Sequence, residues 1–325
     1  MASTGAPARS GKIKIAAGTG LLFLLFLAPL FLGLYRLHLA ILVLVYILLT
    51  SSLRTIYISG QLSLGHAAFM GLGAYTSAIL AKHLGWTPWL TIPIGGLSAM
   101  MAGLLIGFPF SRLRAIYFSM ASLFFGIMIT ALTGVFPTWT GYLGGLPGIP
   151  RLLGYSKVPY YYFFLVLTLL SLLILYRIEH SRIGLTFKSV AQSYLAASSR
   201  GINEAGVRIR ALALGCFFAG LAGAGYAHYN TFIAPSNFSM LPSIFLVVYL
   251  LVGGTGSFAG PIVGAFVLYL IPYVLGGLKG YAPFVLAGVL AVIIFLIPRG
   301  LVSLPRQIKS RMSKSGPSKG ITHAA

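Results

Sequence analysis

Gly60-Gln61-Leu62-Ser63-Leu64-Gly65-His66-Ala67-Ala68-Phe69 decides how this chain is read. It places Gln, Ser and His among helix-loosening glycines inside a long hydrophobic run. A bilayer core offers no water to such groups, so they must face protein or an aqueous path. Gln61, Ser63, Gly65 and His66 are therefore candidate residues of a polar path between helices. Their bland alternative is interhelical hydrogen bonding, which the same residue types also perform.

Composition around this stretch sets the class. Of 325 residues 58% are hydrophobic and only 8% charged, and the mean hydropathy is +0.94. Several apolar runs reach the roughly 18 residues that signal a spanning helix. The runs are continuous rather than alternating, which excludes a β-barrel. The expected fold is all-α: a polytopic integral membrane protein of about ten transmembrane helices. Its spans are expected near 16–35, 38–57, 64–82, 88–109, 115–136, 159–177, 208–229, 240–256, 260–278 and 282–298. Arg9, Lys12 and Lys14 precede an apolar stretch with no convincing small-residue cleavage site, so the first span reads as an uncleaved helix.

Charge supplies orientation. The chain has 23 Lys and Arg against two acids, Glu179 and Glu204, a balance that in a soluble protein would suggest nucleic-acid binding. Here the basic residues lie between the apolar runs, where they orient spans by the positive-inside rule. With ten spans and both termini cytoplasmic, 18 basic residues face inward and five, Arg36, Lys82, Arg151, Lys157 and Lys279, face outward. Residues 1–15 then form a cytoplasmic N-terminus, 16–302 the membrane domain, and 303–325 a basic cytoplasmic tail. The tail is rich in Ser and Gly, cannot form a core, and is expected to be disordered near anionic lipid headgroups.

Two loops stand out. Pro137 to Pro159, rich in Gly, Pro and Tyr, is too polar to span. The inner loop from Arg177 to Arg210 holds a helix-compatible pattern between Gly184 and Gly201. A short helix there, bounded by these glycines, reads equally as a docking element for a partner or as an amphipathic helix lying on the membrane.

Enzyme chemistry finds no support. The two acids are 25 residues apart, and the six His include no pair at i, i+4. Gly253-Gly254-Thr255-Gly256-Ser257 lacks the Gly-Lys of a phosphate loop and reads as close packing or a helix break. His228, beside Tyr226 and Tyr229, reads as structural, and Cys216 as an inert apolar-run cysteine. No cofactor or metal site is expected. The lack of intramembrane acids argues against a carboxylate proton relay, so any energy input would come from a partner.

An ordered set of motifs resembles the permease subunits of branched-chain (hydrophobic) amino acid ABC importers. It begins with Gly60 to Phe69, Gly71, Gly73, Ala74 and Tyr75. Thr140-Gly141 and Gly145-Leu146-Pro147-Gly148-Ile149-Pro150 follow, then Ser181-Arg182-Ile183-Gly184, Ala196-Ala197 and Gly201-Ile202. Ala219 to Gly223, Tyr226 to Tyr229, Gly253 to Ser257, Gly260-Pro261, Gly264 and Arg299-Gly300-Leu301 complete it. The resemblance implies three kinds of partner, a second homologous permease, two cytoplasmic ATP-binding subunits and an external solute-binding protein, beside the membrane lipids that composition already calls for. It also implies that the loop near 178–207 holds a coupling helix seated on an ATPase. Gly184, Ala196, Ala197, Gly201 and Ile202 are its candidate residues, the glycines bounding the helix and the alanines allowing close approach.

The chain departs from that pattern in places. Ala191-Gln192-Ser193 stands where such permeases often carry charge, and the stretch Ser122 to Thr130 lacks a Glu and an Arg. Arg112-Leu113-Arg114 leads into Ala115-Ile116 without an acid. Related permeases carry urea or short amides, so two transport readings stand beside each other. An ATPase-independent channel or facilitator is a third.

Overall fold

In a computed structural model the described residues are 24–113, 115–274 and 301–303, with Gly20 and Gly288 isolated. The fold is all-α, as composition requires. Residues 24–31 are helical. After them come α1 (Leu34–Tyr57), α2 (His66–His83), α3 (Pro88–Phe110) and α4 (Ala115–Leu132). Then follow α5 (Lys157–Glu179), α6 (Arg182–Gln192), α7 (Tyr194–Ser198), α8 (Glu204–Asn230), α9 (Met240–Gly253) and α10 (Ala259–Val274). These coincide within a few residues with the expected spans from 38–57 through 260–278. The expected span at 282–298, residues 1–15 and residues 304–325 lie outside the described residues, and 16–35 lies partly outside. Among the described residues, five helices are long and apolar enough to cross a membrane by length and composition.

α1 is the central post. Burial covers 89% of its most apolar window, whereas the windows of α3 and α5 are 39% buried and turn apolar side chains outward. Such outward faces suit lipid contact, because tails are as apolar as Leu. α1 packs on α8, α5, α9 and α10, while α8 also lies along α2 and α3. Small residues permit this closeness. A Cβ on Gly73 would strike Gly220 backbone, and one on Gly220 would lie 2.5 Å from Ala99 Cβ and 2.7 Å from the Gly95 carbonyl oxygen. Three helices thus meet backbone to backbone, the geometry that small residues allow in membrane bundles.

The two ends differ in chemistry. At one end Lys157 donates to the Leu34 carbonyl and Lys82 to the Pro147 carbonyl. There the polar loop is stitched to the end of α8 by a short antiparallel ladder, β1 (Leu146–Pro147) with β2 (Phe232–Ile233). Gly145, at φ +84°, lies against the Ile233 carbonyl, where a side chain would be both strained and blocked. The opposite end carries two ionic groups, Arg54 and Lys188 on Glu179, and Arg208 on Glu204.

Candidate functional site

The break between α1 and α2 is an extended segment that folds back into the bundle. Gly60, at φ +87°, makes the turn. Ser119 then donates to the Leu62 carbonyl, and the Leu64 amide donates to Ser122 Oγ at 3.0 Å. Gly65 is the N-cap of α2, and a Cβ there would collide with the Ser122 carbonyl. The segment therefore lies flush on α4 because Gly65 has no side chain. Its return brings His66 beside Ser52, five residues before the end of α1, or about 8 Å inside it.

Gln61, Ser63 and His66 are 1%, 0% and 0% exposed, so the structure buries all three polar candidates. His66 Nε2 and Ser52 Oγ are 2.8 Å apart, and the Ser52 hydroxyl also reaches the Leu49 carbonyl. His66 Nδ1, Gln61 Nε2 and Ser63 Oγ have no protein partner, nor does Ser51 Oγ nearby on α1. Unpaired buried polar atoms cost free energy unless water or a solute satisfies them. Similar unpaired atoms occur at Tyr75, Arg208 and Ser257, but three of the residues affected here are those the sequence singled out.

His228 makes the contrast. Its Nε2 lies 2.9 Å from Ser77 Oγ and 3.2 Å from Thr91 Oγ1, and its Nδ1 lies 2.7 Å from the Pro150 carbonyl. Both ring nitrogens are occupied, so His228 ties α2, α3, α8 and the polar loop together as a structural residue.

The helix α9 completes the interior. Its 14 residues span about 21 Å, and with the preceding turn from Pro235 the segment to Gly253 is one of the five long enough to cross. Met240 and Leu241 at its start are exposed, but Ser243 is buried, and its Oγ accepts from the Ala67 amide in the first turn of α2. The preceding Phe238 packs on Gly71, and a Cβ on Gly71 would lie 2.8 Å from its ring. α9 ends at Gly253, and Gly254, at φ +107°, turns the chain toward α10.

The inner loop departs from expectation in two ways. It holds two helices, α6 and α7, and Gly184 lies within the first turn of α6 rather than at a boundary. Gly184 is small for another reason: a Cβ there would strike the Ile178 and Glu179 carbonyls at the end of α5. Gly201, at φ +77°, does stop the loop helix. Ala197 is buried with Ile58, Phe187, Val190, Val207 and Ala211, a small core that seats the loop on α1 and α8. Ala196 faces out, and Ile202 is partly buried against that core. The outward side carries Ile183, Leu185 and Leu195, the last 66% exposed.

Sequence reasoning passed over the ionic cluster beneath this loop. Arg54 Nη2 and Nε reach Glu179 Oε1 and Oε2 at 2.8 and 3.1 Å, and Lys188 Nζ reaches Oε1 at 3.1 Å. Arg54 also donates to the Thr255 carbonyl. The partners are up to 201 residues apart, so no local spacing announces them. The signal available was scarcity: the chain has only two acids, and the structure pairs each with a buried arginine.

A bundle of long apolar helices, with apolar side chains turned outward and polar residues buried within, has the build of a multi-pass membrane protein. The chain belongs to the family described as the permease component of branched-chain amino acid transport systems, whose model matches residues 35–298. It is 29% identical over 311 residues to the high-affinity branched-chain amino acid transport system permease protein LivM of Escherichia coli K12, covering 86% of this chain and 72% of that one. The LivM protein of Salmonella typhimurium LT2 matches at the same identity and coverage. No solved structure matches the chain.

Proposed function

We propose that this chain is the membrane-spanning permease subunit of an ATP-binding cassette importer for branched-chain and other hydrophobic amino acids. In this reading it crosses the inner membrane ten times with both termini cytoplasmic. It pairs with a second homologous permease, receives substrate from an external solute-binding protein, and is driven by two cytoplasmic ATP-binding subunits. The family match over residues 35–298 carries the reading. The inner loop supports it locally, because α6 and α7 are seated on the bundle by one face and present Ile183, Leu185 and Leu195 on the other. An exposed apolar set next to charged residues suits a protein partner. ATP-driven closure of the ATPases would move this loop, and the loop meets the path directly. A Cβ on Gly60, at the start of the break, would lie 3.2 Å from Ala191 Cα in α6. Gln61, Ser63, Gly65 and His66 line the polar interior that opens as the break shifts.

The test is capture of the tagged chain in mild detergent with its co-expressed partners, followed by uptake of labelled leucine into proteoliposomes. The reading expects a second permease and ATP-binding subunits in the captured complex, and uptake that requires ATP. Leucine flux from the isolated chain without ATPases would overturn it in favour of a facilitator. ATP-dependent uptake of urea without leucine would move it to the amide carriers.

A further inference from the structure

We propose that Glu179 is the hub of a buried ionic lever that links the inner loop to the transmembrane helices, so that Arg54, Glu179 and Lys188 set the coupling of loop movement to transport. The proposal rests on the reading of the loop as the ATPase-coupling element.

The argument begins with an electrostatic misfit. Glu179 is the last residue of α5, where the helix dipole already places negative charge and a carboxylate is unfavourable. It is also 6% exposed, away from water. Cations must hold it there, and they come from two different bodies. Arg54, 3% exposed, lies in the last turn of α1 and grips both carboxylate oxygens. Lys188, on α6, reaches the Oε1 atom that Arg54 Nη2 also reaches. Arg54 extends the connection by donating to the Thr255 carbonyl just past the end of α9. The ends of α1, α5 and α9 are therefore tied at one guanidinium–carboxylate pair, and α6, packed beside them, reaches that pair's charge through a single ammonium.

The contact at Lys188 differs from the pair beneath it. Arg54 and Glu179 have side chains 4% and 7% exposed, while Lys188 is 40% exposed. The buried pair is shielded and bidentate, hence geometrically stiff. The ammonium is a point charge on a flexible stem. Gly184, one turn earlier in α6, rests against the Glu179 carbonyl, so α6 pivots on α5 with no side chain between them. Displacement of α6 then pulls or releases Oε1, and the stiff pair passes the change to α1 and to the start of the break at Gly60. The second acid anchors the loop's other end. Glu204 Oε1 and Arg208 Nη1 are 2.6 Å apart, and Arg208 Nη1 reaches the Ser111 and Leu113 carbonyls after α3. The two acidic side chains thus hold both ends of the inner loop, and of the two ion pairs only the one at Glu179 ties α1 to the residue after α9.

Arg54, Glu179 and Lys188 are positioning residues and touch no substrate. The test uses the assembled complex in proteoliposomes and reads labelled leucine taken up per ATP hydrolysed, a ratio that reduced folding yield does not move. The variants are Lys188→Met and the double replacement Arg54→Met with Glu179→Leu, which removes the buried pair without stranding either charge. Both are expected to retain the ATPases and hydrolyse ATP, with the ratio lowered by at least about five-fold, the low end for coupling between sites. Should the double variant not fold, Lys188→Met decides, because its half-exposed ammonium is not a core group. A Lys188→Met complex with the wild-type ratio overturns the lever while leaving the importer reading intact. A wild-type chain that captures no ATPase instead refutes the importer reading, and the lever with it.

Discussion

The contact between Gly65 and α4 predicts an asymmetry between two glycines that face each other. Replacing Gly65 with Ala drives a Cβ into the Ser122 carbonyl oxygen and to 2.8 Å from its carbonyl carbon. Both obstacles are backbone, so neither can swing aside, and the helix or the break must shift. Overpacking of this kind costs about 3 kcal/mol, the upper part of its usual range. Gly126 lies on the other side of the same contact. A Cβ there would lie 3.3 Å from Gly65 Cα and 3.7 Å from Ala68 Cβ, a tight fit that a few tenths of an ångström relieve. Gly126 is also mid-helix, where Ala is favoured over Gly by about 1 kcal/mol. The two effects nearly cancel, and Gly126→Ala should be close to neutral. Reversible unfolding of the purified protein in mixed detergent micelles, followed by tryptophan fluorescence, measures both. Equal effects, or a larger loss at Gly126, would refute the packing argument and remove the reason for a glycine at the break.

Other outcomes follow from the same geometry. His228→Ala should cost about 3 kcal/mol in the same unfolding assay, combining lost hydrogen bonds with an unfilled cavity. Leucine uptake per folded complex should stay unchanged, because His228 is structural. Leu195→Asp should leave stability within about 0.5 kcal/mol, as a substitution at an exposed site does, while reducing ATPase recovery in a pull-down. Gly201→Ala enters open space at φ +77°, so it should cost about 1–2 kcal/mol through backbone strain alone, read as a lowered unfolding midpoint.

The helices α1 to α5 and α8 to α10 were legible because membrane spans announce themselves by long apolar runs, and their borders by glycine, proline and charge, whereas the inner loop, read as one helix, holds two. The break at Gly60–Phe69 was legible for the converse reason: Gln61, Ser63 and His66 are out of place in such a run. Hydropathy could not reveal that Phe238, just before α9, packs on Gly71, since a Phe is as apolar when buried as when facing lipid. Gly184 was found as a bound of the loop helix, but its contact with the end of α5 was not, because a glycine needed for close approach looks the same in sequence as one that ends a helix. Ala196 and Ala197 read as a pair, yet a helix turns about 100° per residue, so only Ala197 meets the core. The Arg54–Glu179 pair, separated by 125 residues, is a product of tertiary folding alone. Glu204 and Arg208, by contrast, stand at i, i+4 and could have been read directly.

A single cross-linking measurement bears most directly on the account. Cys216 is the chain's one cysteine and is buried, so a thiol introduced by Leu195→Cys stands alone at the surface. The complex is formed with its co-expressed ATP-binding subunits, treated with a short thiol-to-amine cross-linker, and resolved by mass spectrometry. An adduct joining residue 195 to an ATP-binding subunit, with a yield that changes when ATP is bound, is the predicted result. An intact complex that gives no such adduct, while a thiol placed elsewhere on the same end does, would contradict the claim that this loop is the coupling element.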